Sequence, residues 1–211
     1  MPSEPFASLD LSPEQTAAAL PYVGLADAVQ ALLQDPQVQV PERLVQALEG
    51  GGSLFVMPAA DGRLAMTKLI TFVPGNPAQG RPAIQGDVVI FDVRSGARLG
   101  LLHGPTVTAR RTAAVSLLAV RLLAPSTDGP LLIVGAGVQG RAHTEAFAAG
   151  LGLRQVWVAS RSVSSAEALV GQAIGAKDRE RFRSAVKLTS LWAGVLGVLM
   201  PRRVRAAAPP R

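Results

Sequence analysis

Between residues 53 and 103 the apolar positions recur every second residue, whereas on either side of that block they recur at helical spacing. SLFVMPA (53–59), RLAMTKLITF (63–72), GDVVIFDV (86–93) and ARLGLLH (97–103) therefore read as strands. They are divided by Asp61-Gly62, by the Pro/Gly/Asn-rich 74–82 and by Arg94-Ser95-Gly96, and the last two should form a hairpin. Upstream, Ser12-Pro13-Glu14-Gln15 has a capping residue, a proline at the first helical position and Gln15 three residues after the cap, so a short helix starts there. VGLADAVQALL (23–33) gives a second helix, and Glu49-Gly50-Gly51-Gly52 closes the helical region. The expected product is an antiparallel sheet or partial barrel beside the opening helices.

Downstream, TVTARRTAAVSLLAVRLL (106–123) reads as one long helix capped by Thr106 or Thr108 and closed by Pro125. After the linker PSTDGP the pattern becomes βαβα: strand 131–134, helix 138–149, strand 155–159 and a helix from 164 to about 174. No internal repeat is present.

Composition narrows the function classes. A chain of 211 residues that is 48% hydrophobic can bury one large core or two small ones. It has no cysteine, which excludes disulfides and thiolate metal sites, and its two histidines, His103 and His143, are too few to build a metal site. The net charge of +6 would suit nucleic acid, but residues 1–175 hold 12 Lys+Arg against 13 Asp+Glu, while residues 176–211 hold 9 against 2. The basic balance belongs to the tail, and with aromatics at 4% there is no stacking surface, so no nucleic-acid partner is expected. The opening MPSEPFASLD lacks a basic, then apolar, leader, which points to the cytoplasm. LTSLWAGVLGVLM (188–200) is 13 residues long, short of the roughly 17 to 25 that a spanning helix needs. Lys187 and Arg202 at its flanks suit an interfacial position, but a membrane is not the expected partner.

The chemistry is concentrated in LLIVGAGVQGRAHTEAF (131–147). A helix N-terminus offers unsatisfied N–H groups and partial positive charge, which suit a diphosphate if the backbone can come close. Gly135 would make the tight turn, Gly137 would admit the phosphates and Gly140 would let the helix sit against the strand. The amides of Ala136, Val138 and Gln139 complete the run of candidate cofactor contacts. The alternative is a turn that serves packing alone. An acidic residue after the second strand would hold the ribose of NAD, but VWVAS runs into Ser160-Arg161-Ser162. Ser160 and Ser162 can donate hydrogen bonds and Arg161 can pair with a 2′-phosphate, so NADP(H) is the expected cofactor, with NADH as a second donor.

RTAAVSLLAVRLLA followed by LLIVGAGVQGRAHTEAF, with MTKL upstream, resembles the ornithine cyclodeaminase/mu-crystallin family over about residues 10 to 171. The resemblance implies an α/β protein: an α+β substrate and oligomerisation domain (1–124), then the first half of a doubly wound Rossmann domain (125–175), with 176–211 as an atypical basic tail. It implies that Lys68 of MTKL and Arg111 of RRTAA hold an amino-acid carboxylate beside the nicotinamide, and Arg43 of PERL resembles a further substrate arginine. A planar guanidinium grips a carboxylate at two points, and a lysine adds a point charge or a proton. Each has a plainer reading, since Arg110 or Arg111 could simply be exposed on the first helical turn; His143 reads as structural or near the cofactor.

Within the family, Ser160-Arg161 favours NADPH-dependent reduction of a cyclic imino acid, 1-pyrroline-2-carboxylate or 1-piperideine-2-carboxylate, to proline or pipecolate. Lys68 is the candidate catalytic residue of such a homodimeric reductase. Ornithine cyclodeaminase chemistry and a non-catalytic interaction module are the alternatives. Family members continue into a second Rossmann half, whereas here the composition shifts at about Gly175 to AKDRERFRSAVK, the apolar run and PRRVRAAAPPR, as a frameshift or shortened gene would produce.

Overall fold

The computed structural model describes residues 9–153 and 155–160, with Ser164, Ser165 and Leu169 beyond them. Its contacts divide into two units, one through Pro125 and one from Ser126. The helix expected from residue 164, and the basic tail, lie outside the described residues apart from those three positions.

The first unit is built on a six-stranded sheet of order β1-β6-β5-β4-β3-β2. Its strands are β1 (Leu9–Leu11), β2 (Leu44–Leu48), β3 (Gly52–Ala60), β4 (Leu64–Phe72), β5 (Ile84–Asp92) and β6 (Arg98–His103). Neighbours run antiparallel except β1, which joins β6 in parallel, so the sheet is mixed and not purely antiparallel. The expected strands are present, with shifted ends. β1 and β2 were not legible: Leu9–Leu11 is too short to show a period, and LVQAL (44–48) can be read at either spacing. The helical region therefore ends well before Gly50, at α2.

Local chemistry sets the turns. The Asp61 carboxylate accepts the N–H groups of Arg63 and Leu64, each at 2.7 Å, and closes β3 onto β4. Asp92 accepts from the Ser95 N–H at 2.8 Å and its hydroxyl at 2.7 Å between β5 and β6. Such side-chain turns let Asp replace a backbone partner. These bonds hold both carboxyls below the usual aspartate range.

Helices α1 (Pro13–Ala19) and α2 (Tyr22–Gln34) follow β1. The capping box at Ser12 is formed: the Gln15 N–H donates to Ser12 Oγ at 3.2 Å and the Ser12 N–H donates to Gln15 Oε1 at 2.8 Å. Helix α3 (Gly104–Leu123) starts two residues earlier than expected, directly off the end of β6. Neither threonine caps it. Thr106 bonds the ring of His103 at 2.8 Å, and Thr108 turns back onto the carbonyl of Gly104 at 2.8 Å.

Helices α1 and α2 pack on α3, and α3 lies on β4, β5 and β6. Alternation along β4 shows which face it covers: Lys68 and Ile70 are buried while Leu69 between them is exposed. Val88, paired with Lys68, is buried on the same face, opposite Ala113, Ala114, Leu117 and Leu118 of α3. The close crossing depends on two glycines, because a Cβ on Gly104 would press against the backbone of Gly86, at 2.5 Å from its carbonyl oxygen, and Gly86 has a φ of +126°.

The second unit pairs β7 (Leu131–Val134) in parallel with β8 (Val156–Ala159), joined by α4 (Val138–Leu151). Ile133, Val156 and Val158 are buried with Ala142, Ala146 and Phe147 of α4, whereas Leu132, Val134 and Trp157 on alternate positions are exposed. Among the described residues no single helix is long and apolar enough to cross a membrane.

Candidate functional site

The first unit brings together the three cations singled out from the sequence. Lys68 sits in mid-β4 between Met57 and Val88, at 7% exposure. Arg43 immediately precedes β2, and Arg111 lies in the second turn of α3; both are exposed. They are close enough to Lys68 to act on its charge. Burial pushes the Lys68 amine below the ordinary lysine range, and the positive charges of Arg111 and then Arg43 push it further.

Among the described residues nothing acidic offsets this cluster. The ion pairs found among the described residues are Arg98–Asp10 at 3.2 Å and Arg121–Asp27 at 3.0 Å, both elsewhere. A buried amine beside two guanidinium groups, with no carboxylate on hand, is an arrangement that costs stability until an anion arrives. A planar carboxylate is the ligand whose geometry the guanidinium groups fit.

The resemblance singled out Arg111 and not its neighbour Arg110, and the structure gives the two different surroundings. Adjacent helical residues point about 100° apart, so only one can turn toward Lys68. Arg110 turns the other way. Its Nε donates to the Leu20 carbonyl at 2.6 Å, and its guanidinium lies over the Tyr22 ring at 3.8 Å from the centroid. It thereby ties α3 to the corner between α1 and α2. Thr16 makes a similar link that no sequence motif announces: fully buried, its hydroxyl accepts from the His103 N–H at 3.1 Å and donates to the Leu11 carbonyl at 3.4 Å.

In the second unit, the glycine turn has the form expected of a phosphate-binding loop. Gly135 has a φ of +108°, a conformation that side chains resist, and its N–H is held by the Ala159 carbonyl at 2.8 Å. Gly137 is the N-cap of α4 and carries no capping side chain. The first helical bond runs from the Arg141 N–H to the Gly137 carbonyl at 3.0 Å. That leaves the N–H groups of Val138, Gln139 and Gly140 without a partner among the described residues at the helix start. A Cβ on Gly140 would run into the carbonyl of Gly135, so this glycine serves the close packing of helix on strand. A Cβ on Gly135 or Gly137 would meet nothing within 4 Å, so open space lies over the turn.

The free amides, the uncapped helix start and the open space fit a diphosphate. Ala136 is half-buried, and Val134 and Val138 flank the turn at 80% and 72% exposure. Ser160 follows β8 directly; Arg161 and Ser162 lie outside the described residues. His143 bonds the Gln139 carbonyl at 2.7 Å and meets Phe147 edge-on, with centroids 6.0 Å apart, which is a packing role within α4.

The sequence profile of the ornithine cyclodeaminase/mu-crystallin family matches residues 16–184. The chain belongs to that family. The resemblance carried by MTKL, RTAAV and the glycine turn is thus borne out. Delta(1)-pyrroline-2-carboxylate reductase 1 of Burkholderia multivorans is 40% identical over 156 residues, which are 72% of this chain and 50% of the relative. The ketimine reductase mu-crystallin of Mus musculus is 39% identical over 137 residues, 63% of this chain and 44% of the relative.

Solved structures of the family's fold agree. An archaeal alanine dehydrogenase dimer with bound NAD superposes with a TM-score of 0.68 at 22% identity, over 78% of this chain and 52% of that one. The Delta(1)-pyrroline-2-carboxylate reductase of Thermococcus litoralis, in complex with NADH and L-proline, gives 0.62 at 23% identity, over 78% and 52%. The α/β fold class read from the sequence is the observed one. This family member spans about half the length of the curated relatives it matches.

Proposed function

We propose that the chain carries the substrate grip and the diphosphate turn of an NADPH-dependent reductase that converts 1-pyrroline-2-carboxylate or 1-piperideine-2-carboxylate to proline or pipecolate. The observation that carries this reading is the cluster of Lys68, Arg111 and Arg43, which no carboxylate among the described residues answers. The substrate carboxylate supplies the missing negative charge. Relatives named as reductases of these imino acids, at about 40% identity, support the same substrate class.

In this reading a nicotinamide cofactor, when bound, would supply a hydride for C2 of the C=N bond. Arg111 and Arg43 orient the carboxylate through paired hydrogen bonds. Lys68 takes a third position on it and holds a proton beside the ring nitrogen, which must gain one as C2 gains the hydride. The amides from Val138 to Gly140 hold the diphosphate, and Ser160, Arg161 and Ser162 select the 2′-phosphate of NADPH over NADH. We place the reaction in the cytoplasm, carried out by a homodimer.

Two measurements on the purified chain test the reading. The first is NADPH oxidation with each imino acid, and the second is calorimetric titration with L-proline and with NADPH. Turnover with either substrate supports it. Saturable L-proline binding without turnover assigns the grip alone to this length of chain, and absence of both overturns the proposal.

A further inference from the structure

Lys68 is the sole lysine in the first 175 residues; the chain has three lysines in all, the others being Lys177 and Lys187, against 18 arginines. It stands at a position where arginine would keep its charge on burial and fit a carboxylate better. What an amine offers and a guanidinium does not is nucleophilic nitrogen. Lys68 is at 7% exposure, and among the described residues its amine has neither a hydrogen-bond partner nor a carboxylate to hold it as an ammonium ion. Arg43 precedes Leu44, which pairs with Val56, so it comes level with Met57, the cross-strand partner of Lys68, while α3, which carries Arg111, packs on β4; both guanidinium groups are exposed and close enough to act on the Lys68 charge.

We propose that Lys68 forms an imine with 2-oxo acids whose carboxylate is held by Arg111 and Arg43. The inference rests on the carboxylate grip of the proposed function but not on cofactor or hydride transfer. The Lys68 nitrogen adds to C2 of the oxo acid and passes one proton to the former carbonyl oxygen; that hydroxyl then leaves as water with the second amine proton as the C=N bond forms. Nothing else is consumed. Burial beside two positive charges favours the neutral amine that this addition needs. The natural counterpart is the ring-opened form of a cyclic imino acid, an amino 2-oxo acid that presents the same carboxylate next to a carbonyl carbon.

The test is reductive trapping on the full chain. Pyruvate and cyanoborohydride are added, and the modified amine is located by peptide mass mapping, with acetaldehyde as the probe that lacks a carboxylate. The expected result is saturable labelling of Lys68 by pyruvate, at least about 10-fold faster than at Lys177 or Lys187, the ratio that about 1.4 kcal/mol of docking provides. L-Proline should slow it, and Arg111→Leu should slow it too. Labelling at Lys68 no faster than at the other two lysines, or equally fast with acetaldehyde, overturns the inference. Lys68→Arg should lose the label; if that variant does not fold, site mapping on the unaltered chain still decides. Trapping without NADPH turnover would sustain this inference while the reductase reading fails, and turnover without trapping would do the reverse.

Discussion

Arg111 stands close enough to the buried Lys68 to disfavour its charge, and no carboxylate among the described residues offsets either group. Folding must therefore either bury an unmatched ammonium or strip its proton. Because the folded-state pKa lies below the unfolded one, the penalty is complete at pH values below the folded pKa. It disappears as pH rises toward the ordinary lysine value of about 10.4. Lys68→Met should accordingly melt higher than the unaltered chain at neutral pH, and the gap should close in alkali. Thermal melts from pH 6 to 10.5 check this; a gap that widens with pH contradicts it. The same substitution should lower imino-acid turnover by about 100-fold or more, the scale of a lost proton donor.

Arg110 is held twice, by the Nε bond to the Leu20 carbonyl and by the Tyr22 face under its guanidinium, and it links α3 to the α1–α2 corner. Removing it deletes a charge-assisted bond and a cation–π contact, together about 1 to 2 kcal/mol. Arg110→Ala should thus lower the melting temperature, and Tyr22→Leu should do so by a smaller step. In the double variant the two losses should fall short of adding, since they share one interaction. Strict additivity in denaturant midpoints would show that the stacking contributes nothing.

The period-two block from 53 to 103 was legible because its strands have one buried and one exposed face, as Lys68, Leu69 and Ile70 show. The capping box at Ser12 and the strand–turn–helix at Gly135 were legible because their chemistry is local. Features made by distant partners were not. β1 exists only through its pairing with β6, and β2 through β3. The α3 start was misplaced because the helix is launched from β6 by the tight Gly86–Gly104 crossing, not by a capping threonine. The three cations were each identified from a short motif. Their convergence on one spot, and the separate duty of Arg110, depend on β2, β4 and α3 being folded together.

Gly137 and Gly140 separate binding from packing within one turn. A Cβ on Gly140 collides with the Gly135 carbonyl, so Gly140→Ala should destabilise the second unit and lose cofactor binding with it. At Gly137 the φ of −80° suits alanine and the added Cβ meets nothing within 4 Å, so Gly137→Ala should fold normally. The methyl group would occupy the space proposed for the diphosphate. NADPH affinity should therefore fall by at least about 10-fold, equivalent to about 1.4 kcal/mol, with the melting temperature of the free chain unchanged. Unchanged affinity would place the phosphates elsewhere.

Selection of NADPH is proposed to reside in Arg161, directly after Ser160 at the end of β8. A 2′-phosphate paired with a guanidinium gains a charged hydrogen bond worth about 1.5 to 3 kcal/mol, and NADH offers no such group. Arg161→Ser should weaken NADPH by roughly 10- to 100-fold and leave NADH within about twofold, so the preference collapses without loss of the diphosphate contacts. Because the proposed pairing is between charges, the NADPH advantage in the unaltered chain should shrink as salt is raised, whereas the variant should be less sensitive. Fluorescence titrations of both cofactors against both chains measure the four affinities at each of two ionic strengths. If both cofactors weaken equally in the variant, Arg161 holds the shared adenosine diphosphate and not the extra phosphate.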